Sequence, residues 1–179
     1  MIIVFTGNGK GKTTASLGQM IRVIGRGKNA LMLQFIKGPW RSGEDDFSDF
    51  FQKIKSKKTG EFKIKKGGLG FVKILGDKLP FSDHKKAAQK TFAEFKKELK
   101  SNKWHLIILD EINVAINLKL LSKKEVISAI RNFPEDKILI LTGREAPKEF
   151  IKIADLVTEM KEIKHPFLKG KQGKITVEF

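Results

Sequence analysis

Cysteine is missing altogether from this 179-residue chain. That excludes disulfides, thiolate metal sites and cysteine nucleophiles, and leaves oxygen or imidazole to hold any metal. Histidine is scarce: His84, His105 and His165 do not fall in metal-ligand spacing with one another, and no serine sits in a G-x-S-x-G elbow. Nothing in the chain suggests a protein nucleophile, so both reactants of any enzyme here are expected to be bound molecules. Long apolar runs are missing too. Leu106 to Leu109 is far too short to cross a bilayer, and Ile2 to Phe5 lacks the basic lead and length of a signal peptide. The expectation is a cytoplasmic protein with no membrane partner. Arginine is rare as well. Of 36 basic residues only Arg22, Arg26, Arg41, Arg131 and Arg144 are arginines, which leaves few forks for bidentate recognition of nucleic acid. The formal net charge of +16 comes mainly from lysines spread from end to end, and reads as a solvated basic surface ahead of a nucleic-acid site.

One further absence is a glycine. Residues 6 to 14 read TGNGKGKTT, and a phosphate-binding loop of the form G-x-x-x-x-G-K-[ST] needs its first glycine five positions before Gly11. Thr6 stands there instead, and the first glycine is Gly7, so the loop is one residue short.

What is present is an alternation of strand and helix. The β-branched run Ile2 to Phe5 leads into the loop, and residues 12 to 24 carry Ala15, Leu17, Met20, Ile21 and Ile24 at helical spacing. NALMLQFI at 29–36, WHLIILD at 104–110 and KILILTG at 137–143 read as buried strands, and LVTEM at 156–160 as a further one. A helix is expected from about Asp83 to Lys100 behind Ser82, a helical stretch through Leu120, a second helix opened by Ser122-x-x-Glu125, and a short one over 147–155. Residues 39–80 read as a site-forming insertion with short strands at EFKIK and FVKIL. The fold expected is one α/β domain over 1–179: a mostly parallel central sheet with helices on both faces, in the RecA-like architecture of phosphate-loop NTPases.

Two stretches carry the chemistry. In a strand-loop-helix setting the backbone N–H groups and the positive helix end cradle phosphate oxygens, so Gly7, Asn8, Gly9, Lys10, Gly11, Lys12, Thr13 and Thr14 are nucleotide-binding candidates. Lys12 is expected to reach into the phosphates and Thr13 to bind a divalent ion. LIILDE then places Asp110 and Glu111 at a strand's carboxyl end, where α/β sheets bind ligands and where such proteins hold magnesium. Asp110 as a helix cap is the other reading, and Glu111 either touches the ion or activates a water.

With QFIKG at 34–38, LTGR at 141–144 and ADLVTEMKEIKHPFLKG at 154–170, the loop TGNGKGKTTA resembles the corrinoid (cob(I)alamin) adenosyltransferases of the phosphate-loop type, in order over nearly the whole chain. The resemblance implies ATP lying reversed in the loop, which gives the short loop a purpose, and attack of Co(I) on the 5′ carbon of ATP with triphosphate leaving. Its substrates would be ATP and a reduced corrinoid, with Mg2+ or Mn2+ assisting, in cobalamin biosynthesis. Lys12, Glu111 and Arg144 become catalytic candidates, with Thr13, Asp110 and Glu111 as the metal set. Gln34, Lys37, Phe71, His165 and Phe167 join the binding candidates. A flavoprotein reductant and a homodimer are further implications. Phe71 would crowd the lower face of cobalt, or is a core aromatic. His165 and Phe167 would flank corrinoid or nucleotide, or belong to a packed loop. Two features depart from the family: the chain starts at its first strand, without the extension that covers the corrinoid in better-known members, and Lys73 stands where an aromatic often follows the phenylalanine. The alternative is a RecA-like nucleic-acid-stimulated ATPase, suggested by the net charge and by Glu111 after Asp110.

Overall fold

Alternate residues of a strand face opposite sides of a sheet, and the apolar strands of this chain use both. Leu31, Leu33, Ile107, Leu109, Leu139 and Leu141 point to one face, where Phe92, Phe95, Ile112, Val126 and Phe150 cover them. Ile3, Ala30, Met32, Ile108 and Ile140 point to the other, under Met20, Val23, Ile24 and Phe51. The computed structural model describes residues 1–74, 76–165 and 170.

The first half of the chain runs β1 (Ile2–Thr6), α1 (Lys12–Gly25), β2 (Ala30–Gln34), α2 (Gly43–Ile54), β3 (Phe62–Lys66) and α3 (Phe81–Lys100). The second half runs β4 (Leu106–Asp110), α4 (Ile112–Asn117), α5 (Lys123–Ile130), β5 (Ile138–Thr142), α6 (Lys148–Ile153) and β6 (Leu156–Glu159). The strands lie in the order β3-β2-β4-β5-β1-β6, and every described pairing is parallel. This is the expected α/β architecture with helices on both faces. β5 sits between β1 and β4, so the ends of those three strands are neighbours. Register sets Phe5 beside Thr142 and Gln34 beside Asp110. The polar residues therefore gather along the carboxyl edge of the sheet.

Several boundaries differ from those expected. Ser122 does cap α5, its hydroxyl accepting from the Glu125 N–H. Ser82 caps nothing, because α3 begins at Phe81 after Pro80, whose fixed φ suits the position before a helix. The insertion holds a full amphipathic helix, α2, entered through Ser42, whose N–H and Oγ both donate to Asp45. EFKIK supplies β3, but residues 71–74 of FVKIL form no strand. Lys73 has a positive φ of 58°, and Asp77 accepts from the Lys73 and Leu79 N–H groups while lying 3.1 Å from His84 Nε2. Those bonds fold the segment into turns, and hold the Asp77 carboxyl below its ordinary value. Ahead of it, a Cβ on Gly67 would lie 1.8 Å from Thr91 Oγ1, so the chain leaves β3 pressed against α3.

Candidate active site

The shortened loop is held at both ends. Gly7 has φ 93°, and a Cβ there would sit 2.4 Å from the Met160 carbonyl oxygen, so only glycine fits between β1 and the end of β6. The Gly9 N–H donates to that same carbonyl at 2.7 Å, and the Met160 N–H donates to Thr6 O at 2.8 Å. Gly11, at φ 106°, then turns the chain into α1. The Lys12 amine folds back into the loop, donating to the carbonyls of Gly7 and Gly9 at 2.8 and 2.7 Å. Lys12 is buried, and burial depresses its pKa, with Glu111 opposing and Arg144 adding to the depression. It is a latched cation rather than an extended one.

Below the loop lies a carboxylate held by three side chains. Asp110 Oδ1 accepts from Thr13 Oγ1 at 2.9 Å and from Thr142 Oγ1 at 2.8 Å, and Oδ2 accepts from Gln34 Nε2 at 3.3 Å. Asp110 is 1% exposed, and burial pushes its carboxyl up against the pull of those donors. Thr142 Oγ1 also accepts the Glu111 N–H at 2.9 Å. Glu111 precedes α4 in the left-handed region, φ 62°, and its Oε2 lies beside Gly143, 3.2 Å from where a Cβ there would sit. Burial pushes Glu111 up to about 7, with Asp110 adding to it, while Lys12, Arg144 and Lys37 pull the other way.

Arg144 is presented by α4. The Asn113 amide donates to Gly143 O at 2.9 Å and the Asn117 amide to Glu145 O at 3.0 Å, pinning the turn on both sides of the arginine. On the opposite side α2 contributes Glu44, which pairs with Lys37 and accepts from Gln34 Nε2 at 3.3 Å. Burial works against ionisation of Glu44, but Lys37 and other donors outweigh it and hold the carboxyl below its ordinary value.

These groups converge on a cavity of about 930 Å³ that the loop residues from Asn8 to Thr14 line together with Lys37, Glu111 and Arg144. Gly7, Gln34 and Asp110 lie behind that surface and shape it. Phe71 is 48% exposed in the segment after β3 and does not line the cavity. His165 is partly exposed past β6, and Phe167 lies outside the described residues. Sequence reasoning missed Thr142, Asn113, Asn117 and Glu44. Thr142 stood inside LTGR, but its role depends on strand register; the asparagines and Glu44 carry no motif. Among the described residues no three His, Asp or Glu side chains cluster as a metal site. Two carboxylates and a threonine hydroxyl remain, an oxygen-only set that suits a hard divalent ion taking its other ligands from phosphate and water.

A sequence model of the family described as ATP:corrinoid adenosyltransferase BtuR/CobO/CobP matches residues 1–179. The chain is similar to a corrinoid adenosyltransferase of Escherichia coli K12, 31% identical over all of this chain and 85% of the relative. The corrinoid adenosyltransferase CobA of Salmonella typhimurium is also 31% identical, with 100% and 85% covered, and one from a Sinorhizobium species is 34% identical, with 100% and 80% covered. None of these similarities supports the nucleic-acid-stimulated ATPase, and that alternative is withdrawn. The loop, the carboxylate strand end and the full-length matches agree: the chain belongs to the ATP:corrinoid adenosyltransferase BtuR/CobO/CobP family.

Proposed function

We propose that this chain transfers the 5′-deoxyadenosyl group of ATP to the Co(I) centre of a reduced corrinoid, releasing triphosphate. The reading is carried by one observation: the shortened loop, Lys12 and Arg144 converge on a single cavity in a chain that its family matches from end to end. The electron pair of cobalt attacks C5′, the C5′–O bond breaks, and negative charge builds on the departing triphosphate. The substrate metal is the nucleophile, so the protein's work is positioning and charge stabilisation. Backbone N–H groups of the loop, Lys12 once unlatched, and Arg144 face that charge. Lys37 moves from Glu44 toward phosphate in the same way. A divalent cation, Mg2+ or Mn2+, would be held by Thr13 and Asp110 with Glu111 beside them, and supplies positive charge to the triphosphate.

In this reading Thr142 and Gln34 are positioning residues that fix the Asp110 carboxylate, while Phe71, His165 and Phe167 belong to the corrinoid side. A flavoprotein reductant, a homodimer and a cytoplasmic setting, where ATP and reductant are both at hand, complete it. Among the described residues no helix is long and apolar enough to cross a membrane. The test is incubation with MgATP and chemically reduced cobalamin, following the visible spectrum and identifying the phosphate product. Triphosphate with a new cobalt–carbon bond is expected. Orthophosphate release without a corrinoid product overturns the reading.

A further inference from the structure

Three acidic residues, Glu44, Asp45 and Asp46, stand in the first turn of α2. Two of them have partners that the helix and its surface explain. Asp45 accepts from the Ser42 N–H and Oγ and pairs with Lys66, while Asp46 pairs with Arg41 in solvent. Glu44 lines the cavity beside the phosphate loop, with a side chain only 12% exposed. It touches the helix entrance too, through its own N–H and Ser42. Its Oε1, however, is given to the sheet edge, where it accepts both the Lys37 ammonium and Gln34 Nε2.

Gln34 is fully buried and carries the contact onward. Its Nε2 donates to Glu44 Oε1 and to Asp110 Oδ2, each at 3.3 Å, so the two hydrogens of one amide are divided between two carboxylates. The reverse orientation would set the amide oxygen against both acids. Both bonds are longer than an ordinary N–H···O bond of about 2.9–3.0 Å, so the amide is held between two stations and seated in neither. Gln34 Oε1 is buried with no hydrogen-bond partner among the described residues, and nothing on that side fixes the amide in place. Lys37 is shared as well. Besides pairing with Glu44, its positive charge pulls on Asp110 and on Glu111, so one lysine serves three carboxylates at the edge where phosphate and a divalent ion are read to bind.

We propose that Glu44 and Gln34 form a relay: Glu44 parks Lys37 until a polyphosphate draws the lysine off, whereupon Glu44 pulls the Gln34 amide across and frees Asp110 Oδ2 to take a divalent ion. This deepens the adenosyltransferase reading and rests on it. No covalent bond and no proton changes place. A buried carboxylate that loses its cation must recover a donor, and Gln34 Nε2 is already 3.3 Å away. The same movement takes the amide off Asp110. Phosphate and metal are then coupled through the side chains of α2 and β2 as well as by touching each other. Glu44 and Gln34 are positioning residues, since each acts through another side chain.

The experiment titrates inorganic tripolyphosphate calorimetrically, in EDTA to exclude metal, into wild type, Glu44→Gln, Lys37→Met and the double variant. Lys37→Met should lose about tenfold or more in affinity, as for one charge-assisted hydrogen bond. Glu44→Gln should gain about three- to tenfold, because the lysine no longer has to leave a carboxylate, and the gain should vanish in the Lys37→Met background. An equal gain in that background is a plain charge effect and overturns the relay, as does an unchanged or weakened affinity in Glu44→Gln. Asp46→Asn removes the same charge from the same turn while Arg41 keeps Asp49, so it should stay within about twofold of wild type. That comparison decides the matter should Lys37→Met fail to fold. Heteronuclear NMR follows the Gln34 side-chain amide, assigned by its loss in Gln34→Met. The resonance should shift when tripolyphosphate is added to wild type, and in Lys37→Met it should start near the shifted position and move little. An amide that ignores tripolyphosphate in wild type overturns the relay. Adenosyl transfer is measured on the same wild-type preparation. Transfer without the coupling overturns the relay alone, whereas wild type that neither transfers nor binds tripolyphosphate overturns the relay and the reading beneath it together.

Discussion

The two sides of the cavity are built by different means. On the loop side, geometry is written into the backbone: positive φ at Gly7 and Gly11, backbone hydrogen bonds to Met160, and strand register that brings Thr142 to Asp110. On the α2 side, charged side chains fasten a helix to the sheet edge. Lys66 pairs with Asp45, Lys37 with Glu44, and Arg41 with Asp46 and Asp49, around a three-ring cluster of Phe47, Phe51 and Phe62. A backbone-built rim tolerates little change, whereas of the pairs on the α2 side those of Arg41 are exposed and contribute little individually. The loop side should therefore be brittle and the α2 side forgiving.

Lys12→Ala should open the widest gap between them. Losing a cation that faces the developing triphosphate charge should cost about 10²–10³ in kcat/KM. The thermal midpoint of the ligand-free protein should move by about 2–4 °C at most, because the deleted ammonium was costly to bury. Near-normal turnover would remove Lys12 from the transition state.

Glu111 tests the loop side through pH. Below its ordinary pKa of 4.5 the residue is protonated in folded and unfolded chains alike. From there to about 7 the folded chain keeps a proton that the unfolded chain has released, so stability falls as pH rises and levels off above the folded pKa. The loss should reach up to about 3 kcal/mol. Urea unfolding of ligand-free wild type and Glu111→Gln at pH 5 and pH 8 measures it. The variant should gain on wild type at pH 8, and parallel behaviour would mean that the carboxyl titrates normally.

Gly7→Ala should cost about 1–3 kcal/mol through strained φ alone, with more from the clash with Met160, read as a lower denaturation midpoint and weaker ATP binding. On the α2 side, Ser42→Ala removes the helix entrance and should cost about 1 kcal/mol. Arg41→Ala, at an exposed pair, should leave the thermal midpoint where it is. A large loss at Arg41 would erase the contrast between the two sides.

The same contrast explains what the sequence revealed. Local codes were readable: glycines and GKTT for the loop, periodicity for α1, the Ser122 box for α5, and a buried run ending in Asp110. α2 was not recognised because glycine, serine and acidic residues dominate its first half, although Phe47, Phe50, Phe51 and Ile54 follow helical spacing. FVKIL is a short, mostly apolar run of the kind strands use, but Asp77 captures its backbone from outside the segment. Thr142 and the two asparagines act through partners some thirty residues away in sequence, which no local pattern encodes.

The folded-back Lys12 also bears on how a nucleotide arrives. Its amine occupies the Gly7 and Gly9 carbonyls, so under the proposed function an incoming phosphate meets a closed clasp and must exchange those two acceptors for its own oxygens. Encounter and capture are then separate events. Early collisions are reversible and cheap, and commitment waits on a side-chain rotation whose frequency belongs to the protein. At high ATP the observed binding rate should stop climbing with concentration and settle at the frequency of unclasping.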